Sequence, residues 1–301
     1  MQNAQSLSHG ALIAQLSDLH ILAERPRAAE SVWDLGMRFA SFGRALDPRP
    51  RIRKLVEGLR TARAAGAEHV VLSGDLTELG TREQFETLAE VLYDAGLEPD
   101  AVTLLPGNHD AYTRADAWRR ALDGPLAAFR RSAARPSDEE TCAVVEGKDA
   151  VLLPLDVACH QHFTRAAGEL SSAAADALER RVIGLAGRGR PVVIVLHHSP
   201  LPHTPRAWQW LHGLRGGARI LDLLARFPDV HVLHGHLHYE VELAHGAGPA
   251  RIFGAAAVVD DAPREPRVRF YDASGGTLQS VRAPAQCDVS WAVAHRSCNA
   301  A

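Results

Sequence analysis

Short apolar runs that end in clusters of Asp, His and Asn recur along this chain of 301 residues and constrain its fold more than any other feature. Near-continuous runs of Val, Ile and Leu are typical of strands buried on both faces, and therefore predict a layered α/β protein. The runs and the motifs that follow them are ALIAQL (11–16) before SDLH, HVVLS (69–73) before GDLTELG, AVTLLP (101–106) before GNHDAY, PVVIVL (191–196) before HHSP, and VHVL (230–233) before HGHLH.

Helices are predicted between these runs. Apolar residues recur at helical spacing in four stretches, namely 51–66, 81–96, 170–187 and 216–227. The second stretch begins with Thr81 and Gln84 at capping-box spacing and closes on Gly96. Residues 250–282 instead predict short strands broken by Gly and Pro.

Two segments do not follow this pattern. Residues 21–50 are rich in Arg and aromatic side chains, which favours either a cap-like insert near the first motif or a solvated loop with a few anchoring aromatics. The tail, 283–301, is compatible with an extra strand, a subunit contact or a frayed end. We therefore expect one domain over 1–282, with an insert at 21–50, followed by the tail.

Composition excludes several classes of protein. The 33 Lys and Arg residues nearly balance the 36 Asp and Glu residues, so no global basic field draws the chain to nucleic acid or to a membrane. No stretch approaches the roughly 18 apolar residues that span a bilayer, and the first residues lack the pattern of a signal peptide. The four Cys residues are widely spaced and form no disulfide framework. A cytoplasmic location is expected.

The polar motifs predict a metal centre. Ligands of open α/β sheets bind beyond the carboxyl ends of the strands, so the five motifs are expected to converge there. Imidazole and carboxylate donors together suit transition metals. Seven candidate ligands are too many for one tetrahedral ion and suit two ions about 3.5–4 Å apart that share a carboxylate. The candidates are Asp18, His20, Asp75, Asn108, His197, His236 and His238.

The order of these motifs resembles that of the calcineurin-like metallophosphoesterases. The D-x-H, G-D, G-N-H-D, H and G-H-x-H elements are all present, over roughly residues 11–240. The resemblance implies a four-layer α/β/β/α sandwich of two mixed sheets. It also implies two divalent or trivalent transition-metal ions (Mn, Fe or Zn), with a metal-bridging hydroxide that attacks phosphorus in line.

The resemblance also implies a role for each residue. The first ion would be held by Asp18, His20 and His238, the second by Asn108, His197 and His236, and Asp75 would bridge the two. His109 would assist departure of the leaving oxygen, and Asp110 would orient His109. His197 is chosen over His198 because it fits the family pattern H-x-x-P, whereas His231 and His234 have no counterpart in the motifs and are expected to be structural. Gly74, Gly107 and Gly235 would let the backbone turn tightly beside the metals.

The substrate class remains open between two branches of the family. The sequence GDLTELG departs from the G-D-x-x-D-R-G of protein phosphatases at Glu78 and Leu79, and the motifs look more like those of class III cyclic-nucleotide phosphodiesterases. Small phosphodiesters such as cyclic nucleotides are therefore expected. The insert at 21–50 instead favours the alternative, a UDP-diacylglucosamine-type pyrophosphohydrolase. Trp208 and Trp210 either line the same pocket or pack under a loop.

Three further expectations complete this interpretation. A non-catalytic metal-binding member of the family is a weaker alternative, because no predicted ligand is missing. A nuclease is disfavoured because the chain has no basic stripe. The partner expected is a small-molecule phosphoester, without stable nucleic acid, and assembly as a homodimer is compatible with the tail.

Overall fold

Two large mixed β-sheets form the centre of the fold. The computed structural model describes residues 12–23, 46–137, 142–162, 164–246, 251–259 and 266–282. The strands are β1 (Leu12–Leu16), β2 (His69–Ser73), β3 (Val102–Leu105), β4 (Val145–Glu146), β5 (Val151–Pro154), β6 (Gly168–Glu169), β7 (Val192–Val195), β8 (Leu214–Arg215), β9 (Val230–His234), β10 (Val241–Ala244), β11 (Arg251–Gly254), β12 (Arg269–Asp272) and β13 (Gln279–Val281).

Helices connect and cover the strands. Among the described residues the α-helices are α1 (Pro48–Ala64), α2 (Arg82–Asp94), α3 (Ala117–Asp123), α4 (Ser172–Leu185), α5 (Arg206–His212) and α6 (Gly217–Arg226). Short 3-10 turns lie at Pro99–Ala101, His109–Ala111 and Ala127–Phe129. No helix in these described ranges is long and apolar enough to cross a membrane.

The two sheets share one plan, a parallel centre with antiparallel edges. The first has the order β13-β12-β1-β2-β3, in which β1, β2 and β3 are parallel and β12 and β13 are antiparallel to their neighbours. The second has the order β10-β11-β9-β7-β5-β4, with a parallel core from β11 to β5 and antiparallel strands at both edges. Strands β6 and β8 form a small separate pair.

Three apolar clusters form the core: one between each sheet and the helices that cover it, and one between the two sheets. Because side chains alternate across a strand, Leu12, Ala14 and Leu16 of β1 face α1 and α2, whereas Ile13 faces the other sheet. Likewise Val192 and Ile194 of β7 pack with α4 and α6, and the intervening Val193 joins the cluster between the sheets. The α/β/β/α sandwich predicted from the sequence is confirmed.

Capping residues account for where the predicted helices begin. Helix α1 begins three residues earlier than predicted, because the Asp47 carboxylate accepts a hydrogen bond from the Arg49 amide at 3.0 Å and Pro48 occupies the first turn. Helix α2 begins after Thr81, whose hydroxyl accepts from the Gln84 amide, while Gln84 reaches back to the Leu79 amide at 2.8 Å. Helices α3 and α5 are not among the four predicted.

The two irregular segments are only partly described. Of the insert at 21–50, Ile21 forms a parallel bridge with Thr77, and α1 begins at Pro48. Residues 24–45 and the tail, 283–301, lie outside the described residues. The cap-like insert and the division between domain and tail remain predictions.

Candidate metal centre

The loops that follow β1, β2, β3, β7 and β9 bring their polar side chains together at one end of the sandwich. Among the described residues, three groups of potential ligands have donor atoms within 4.8 Å of one another. The groups are Asp18 with His20 and His238, Asp75 with His197 and His236, and His20 with Asp75 and His109. Residues as far apart in the chain as Asp18 and His238 therefore lie together in one compact cluster.

Asp75 lies at the centre of this cluster. Its Oδ2 is 3.3 Å from Nε2 of His197 and 3.8 Å from Nε2 of His20, residues of the two different predicted metal sites. Its Oδ1 accepts a hydrogen bond from the backbone amide of His109 at 2.9 Å. On the first-site side, Asp18 Oδ1 is 3.2 Å from Nε2 of His238. This placement suits the bridging position that the resemblance implies for Asp75.

The backbone at these positions adopts an uncommon conformation. Among the described residues that are not glycine, five have positive φ, namely Asp18, His20, Asp75, His236 and His238, at 47–68°. All five are predicted ligands. Left-handed conformations cost free energy in residues with a β-carbon and cluster at functional sites, where the surrounding structure enforces them.

Two glycines allow the loops to approach each other closely, as predicted. Gly74 has φ of +96°, and a β-carbon there would collide with the His197 ring. A β-carbon at Gly107 would collide with the carboxylate of Asp75. Larger residues at either position would therefore displace a predicted ligand.

Hydrogen bonds fix which donor atoms face the centre. Nδ1 of His197 donates to the carbonyl of Ser73 at 2.9 Å, which leaves Nε2 directed at Asp75. The Asn108 amide nitrogen donates to the Tyr112 hydroxyl at 2.8 Å, and this orients Oδ1 away from that contact. Tyr112 is thus a site residue that the sequence motifs did not reveal.

Several buried polar atoms of the cluster have no hydrogen-bond partner, as expected where a metal ion would bind. Asp18 Oδ1, Asn108 Oδ1 and His197 Nε2 are buried without a hydrogen-bond partner. Buried polar atoms normally have partners, because desolvating them without compensation costs free energy. A cluster of such oxygen and imidazole donors is the donor set of a transition-metal site, so the residues present fit such ions.

Electrostatics in the cluster favour a positive charge. Burial opposes ionisation of Asp75, but the neighbouring His197, His109 and His20 together hold its pKa well below the usual value. Burial lowers the pKa of His197, yet Asp75 and Asp18 outweigh it and raise the pKa to about 9 in the absence of metal, so a proton occupies the place of a cation there and a bound metal ion would displace it. Burial and then the adjacent His198 and His197 depress the pKa of His236 far below its ordinary value, so its imidazole is neutral, as a metal ligand must be.

Asp110 makes contacts different from those predicted. Its carboxylate accepts from the backbone amides of Leu76, Thr77 and Gly107 at 2.8–2.9 Å and from the Thr77 hydroxyl at 2.7 Å. Nδ1 of His109 instead donates to the carbonyl of Glu78 at 2.9 Å. Any orienting effect of Asp110 on His109 would therefore act through the backbone of the motif loops, and that role remains a prediction. Asp110 ties the second motif loop to the third, and burial followed by repulsion from Asp75 raises its pKa to about 6.

Glu78 and Arg51 complete the surroundings of the two histidines. The Glu78 carboxylate is fully buried, lies 3.4 Å from Nδ1 of His20 and 3.8 Å from Nδ1 of His109, and is paired with the Arg51 guanidinium. Arg51 also donates to the carbonyl of His20 at 2.6 Å. The sequence analysis noted Glu78 only as a departure from a phosphatase motif. The pairing could not be predicted from the sequence, because Arg51 is one of several Arg residues in α1 and the others are exposed.

The remaining histidines have other partners. Nε2 of His198 donates to the carbonyl of Ala166 at 2.9 Å, and its ring centroid is 4.4 Å from that of His236, so the structure brings His197 and not His198 to Asp75. His231 and His234 are buried, and neither belongs to a potential ligand group among the described residues. Half of the histidines in VHVLHGHLH therefore lie outside the metal cluster.

Comparison with known proteins agrees with this architecture. The sequence profile described as calcineurin-like phosphoesterase matches residues 11–240. The 3',5'-cyclic adenosine monophosphate phosphodiesterase CpdA of Haemophilus influenzae is 43% identical over 53 residues, which span 17% of this chain and 19% of that protein.

Solved structures extend the similarity to nearly the whole chain. A dimetal phosphatase from Danio rerio has a TM-score of 0.66 at 13% identity, covering 92% of this chain and all of that one. The protein TT1561 of Thermus thermophilus has a TM-score of 0.55 at 12% identity, covering 91% of this chain and 100% of that one. At these identities the structural matches show the fold alone.

The family match covers most of the chain, including all five motifs that form the cluster. The chain therefore belongs to the calcineurin-like phosphoesterase family. It is a metallophosphoesterase, a hydrolase of phosphoric esters, with His and Asp clusters able to bind metal.

Proposed function

We propose that this chain is a binuclear phosphodiesterase that hydrolyses small diesters, with cyclic nucleotides as candidate substrates. The observation that carries the proposal is the position of Asp75 between two groups of potential ligands, 3.3 Å from His197 and 3.8 Å from His20. The local similarity to a cyclic-nucleotide phosphodiesterase supports the choice of a diester.

Two ions would be held by the predicted ligands. Asp18, His20 and His238 would bind the first, Asn108, His197 and His236 the second, and Asp75 both. When bound, a pair of Mn, Fe or Zn ions supplies an acidified water as nucleophile and neutralises charge on the phosphoryl oxygens.

His109 would act on the leaving oxygen. Because Nδ1 donates to the Glu78 carbonyl, the ring presents Nε2 to the substrate. In the form of the ring that carries a hydrogen on both nitrogens, Nε2 can donate its proton or a hydrogen bond as negative charge develops on the departing oxygen. Two sets of contacts hold the His109 ring close to the predicted metal ligands. The Asp75 carboxylate accepts from the His109 amide, and the Asp110 carboxylate accepts from the amides of Leu76, Thr77 and Gly107.

The pyrophosphohydrolase alternative has less support. It rested mainly on the insert at 21–50, most of which lies outside the described residues. No observation in the described part of the chain favours a diacylated sugar nucleotide over a small diester.

The test is hydrolysis of bis-p-nitrophenyl phosphate and p-nitrophenyl phosphate by metal-stripped protein, before and after addition of Mn²⁺. We expect turnover only after addition of metal, with a higher kcat/KM for the diester. The control is Asp75→Asn at the same protein and Mn²⁺ concentrations. Equal turnover with and without metal, or a preference for the monoester, would contradict the proposal.

A further inference from the structure

We propose that Trp208 and His212 on α5 form a subsite beside the metal centre that binds a planar aromatic group of the substrate, such as a nucleobase. This inference rests on the proposed function, because it names the part of the phosphoester that the chain recognises.

The argument begins with a row of rings that runs from the metal cluster to the surface. The ring centroid of His212 is 6.0 Å from that of His236, a predicted ligand, and the Trp208 ring is 4.3 Å from His212 at an angle of 42°. Trp208 is 49% exposed. In this proposal a substituent of the phosphoester extends along these rings to the exposed part of Trp208.

Of the two exposed tryptophans on α5, Trp208 is the one whose ring contacts the histidine beside the metal cluster. None of the seven residues of α5 is buried, although the helix lies next to the cluster. An apolar ring left in water beside a polar site forgoes the free energy of burial, and such surfaces commonly mark ligand-binding sites. His212 covers part of the Trp208 ring, and about half of the residue, 49%, stays exposed to solvent.

The helix is nevertheless held in a defined place. The side-chain oxygen of Gln209 accepts from the His203 amide at 2.7 Å, and its nitrogen donates to the Leu214 carbonyl at 3.3 Å. The Arg165 guanidinium donates to the Trp210 carbonyl at 2.9 Å. A subsite needs such anchoring, because a ring that is already positioned loses less entropy when a ligand stacks on it.

The chemistry around Trp208 favours a ring over an acyl chain. An acyl chain requires an enclosed aliphatic pocket, whereas no residue of α5 is buried and the ring beside Trp208 is the imidazole of His212. Planar heteroaromatic groups stack on Trp and can also accept or donate hydrogen bonds at their edges. Trp208 offers the stacking face, and His212 offers the adjacent imidazole.

The test measures binding rather than turnover. Isothermal titration calorimetry on the Mn²⁺-reconstituted protein would compare inorganic phosphate, adenosine 5'-monophosphate and n-octyl phosphate. We expect the nucleotide to bind more tightly than phosphate. Trp208→Ala should weaken nucleotide binding about tenfold, in line with the loss of one stacking contact, and should leave phosphate binding unchanged, whereas Trp208→Phe should retain most of the affinity.

The same helix provides a matched control. Trp210 is 61% exposed, and its ring contacts Arg165 rather than the row of histidines. Trp210→Ala should therefore leave the binding of all three compounds unchanged. If Trp210→Ala weakened nucleotide binding as much as Trp208→Ala, the assignment to Trp208 would be overturned.

Further outcomes separate this inference from the proposed function. Wild-type protein that hydrolyses bis-p-nitrophenyl phosphate but binds the nucleotide no more tightly than phosphate would refute the subsite and leave the phosphodiesterase standing. An equal loss of n-octyl phosphate and nucleotide binding in Trp208→Ala would refute recognition of a planar group. Absence of both phosphate binding and hydrolysis would overturn the function and the subsite together.

Discussion

Asp75 and His109 are joined by a hydrogen bond from the backbone amide of His109 to Oδ1 of Asp75, at 2.9 Å. The other oxygen, Oδ2, faces the imidazoles of His20 and His197. The two oxygens of one carboxylate therefore have separate tasks, since one holds the loop that carries His109 and the other is available to metal.

Asp75→Asn separates these two tasks. The amide oxygen can still accept from His109, but the charge that two cations would share is lost. We expect the folded state to be retained and both metals to bind much more weakly. Metal content after dialysis, measured by inductively coupled plasma mass spectrometry, with circular dichroism as the check on folding, tests this. Two equivalents of tightly bound metal in the variant would contradict a bridging Asp75.

His109→Ala should have the opposite effect, with metal retained and rate lost. In the proposed mechanism the ring donates to the leaving oxygen and does not bind metal, so we expect kcat to fall by about 10²–10⁴. The loss should be smaller for p-nitrophenolate than for an alkoxide leaving group, because a stable anion needs less assistance. Metal analysis and a comparison of substrates check both points, and a variant that lost a metal ion would show that His109 is a ligand.

The buried Arg51–Glu78 pair should contribute strongly to stability. Arg51→Met leaves the buried Glu78 carboxylate without its guanidinium and removes the donor to the His20 carbonyl. We expect the free energy of unfolding to fall by about 3–5 kcal/mol. Urea denaturation of the metal-free protein measures it.

The matched control for that variant lies two residues away on α1. Arg53 pairs with Glu57 at 3.9 Å, but both side chains are largely exposed, at 66% and 45%. Arg53→Met should therefore change the free energy of unfolding by no more than about 1 kcal/mol. Similar losses in the two variants would show that burial of the Arg51 pair has no special energetic consequence.

His231 should make stability depend on pH. Burial lowers the pKa of this imidazole to about 4, and its Nε2 accepts from the Leu278 amide at 3.3 Å, a contact that needs the neutral ring. The unfolded chain, in which the pKa is about 6.5, binds the proton more readily. The stability contributed by His231 is therefore present above about pH 6.5 and lost as the pH falls towards 4.

Urea unfolding of metal-stripped wild type and His231→Asn from pH 7.5 to 4.5 would test this linkage. We expect the stability difference between the two proteins to shrink as the pH falls, by up to about 1.4 kcal/mol per unit. Parallel stability curves would mean that His231 does not titrate between the folded and unfolded states as proposed.

Much of the fold could be predicted because its physical causes are local. Apolar runs such as PVVIVL specify strands buried on both faces, and Thr81 with Gln84 marks the start of a helix. The start of α1 was misplaced by three residues, because the Asp47 cap was not recognised. Helix α5 was not predicted, because its seven residues make only about two turns and no side chain caps its start.

The side chains that meet at the candidate site could be predicted from the sequence, but the contacts that hold them in place could not. The motifs contain the side chains that the structure gathers around Asp75. The partners of those side chains are distant in the chain or are backbone atoms. Arg51 pairs with Glu78, and the carbonyls of Ser73 and Glu78 accept hydrogen bonds from His197 and His109 respectively. The contacts of Asp110 with backbone amides and the Thr77 hydroxyl could not be predicted either, and its orienting effect on His109 remains a prediction.

The sequence by itself determined the order of strands and motifs, the donor types and the family, since each of these is written in short stretches of residues. Only the tertiary structure decided which nitrogen each histidine ring presents, which residues support those rings, and which tryptophan stands beside the cluster. These properties depend on hydrogen bonds and ring contacts between loops from different strands. They exist only once the two sheets have packed against each other and brought those loops together.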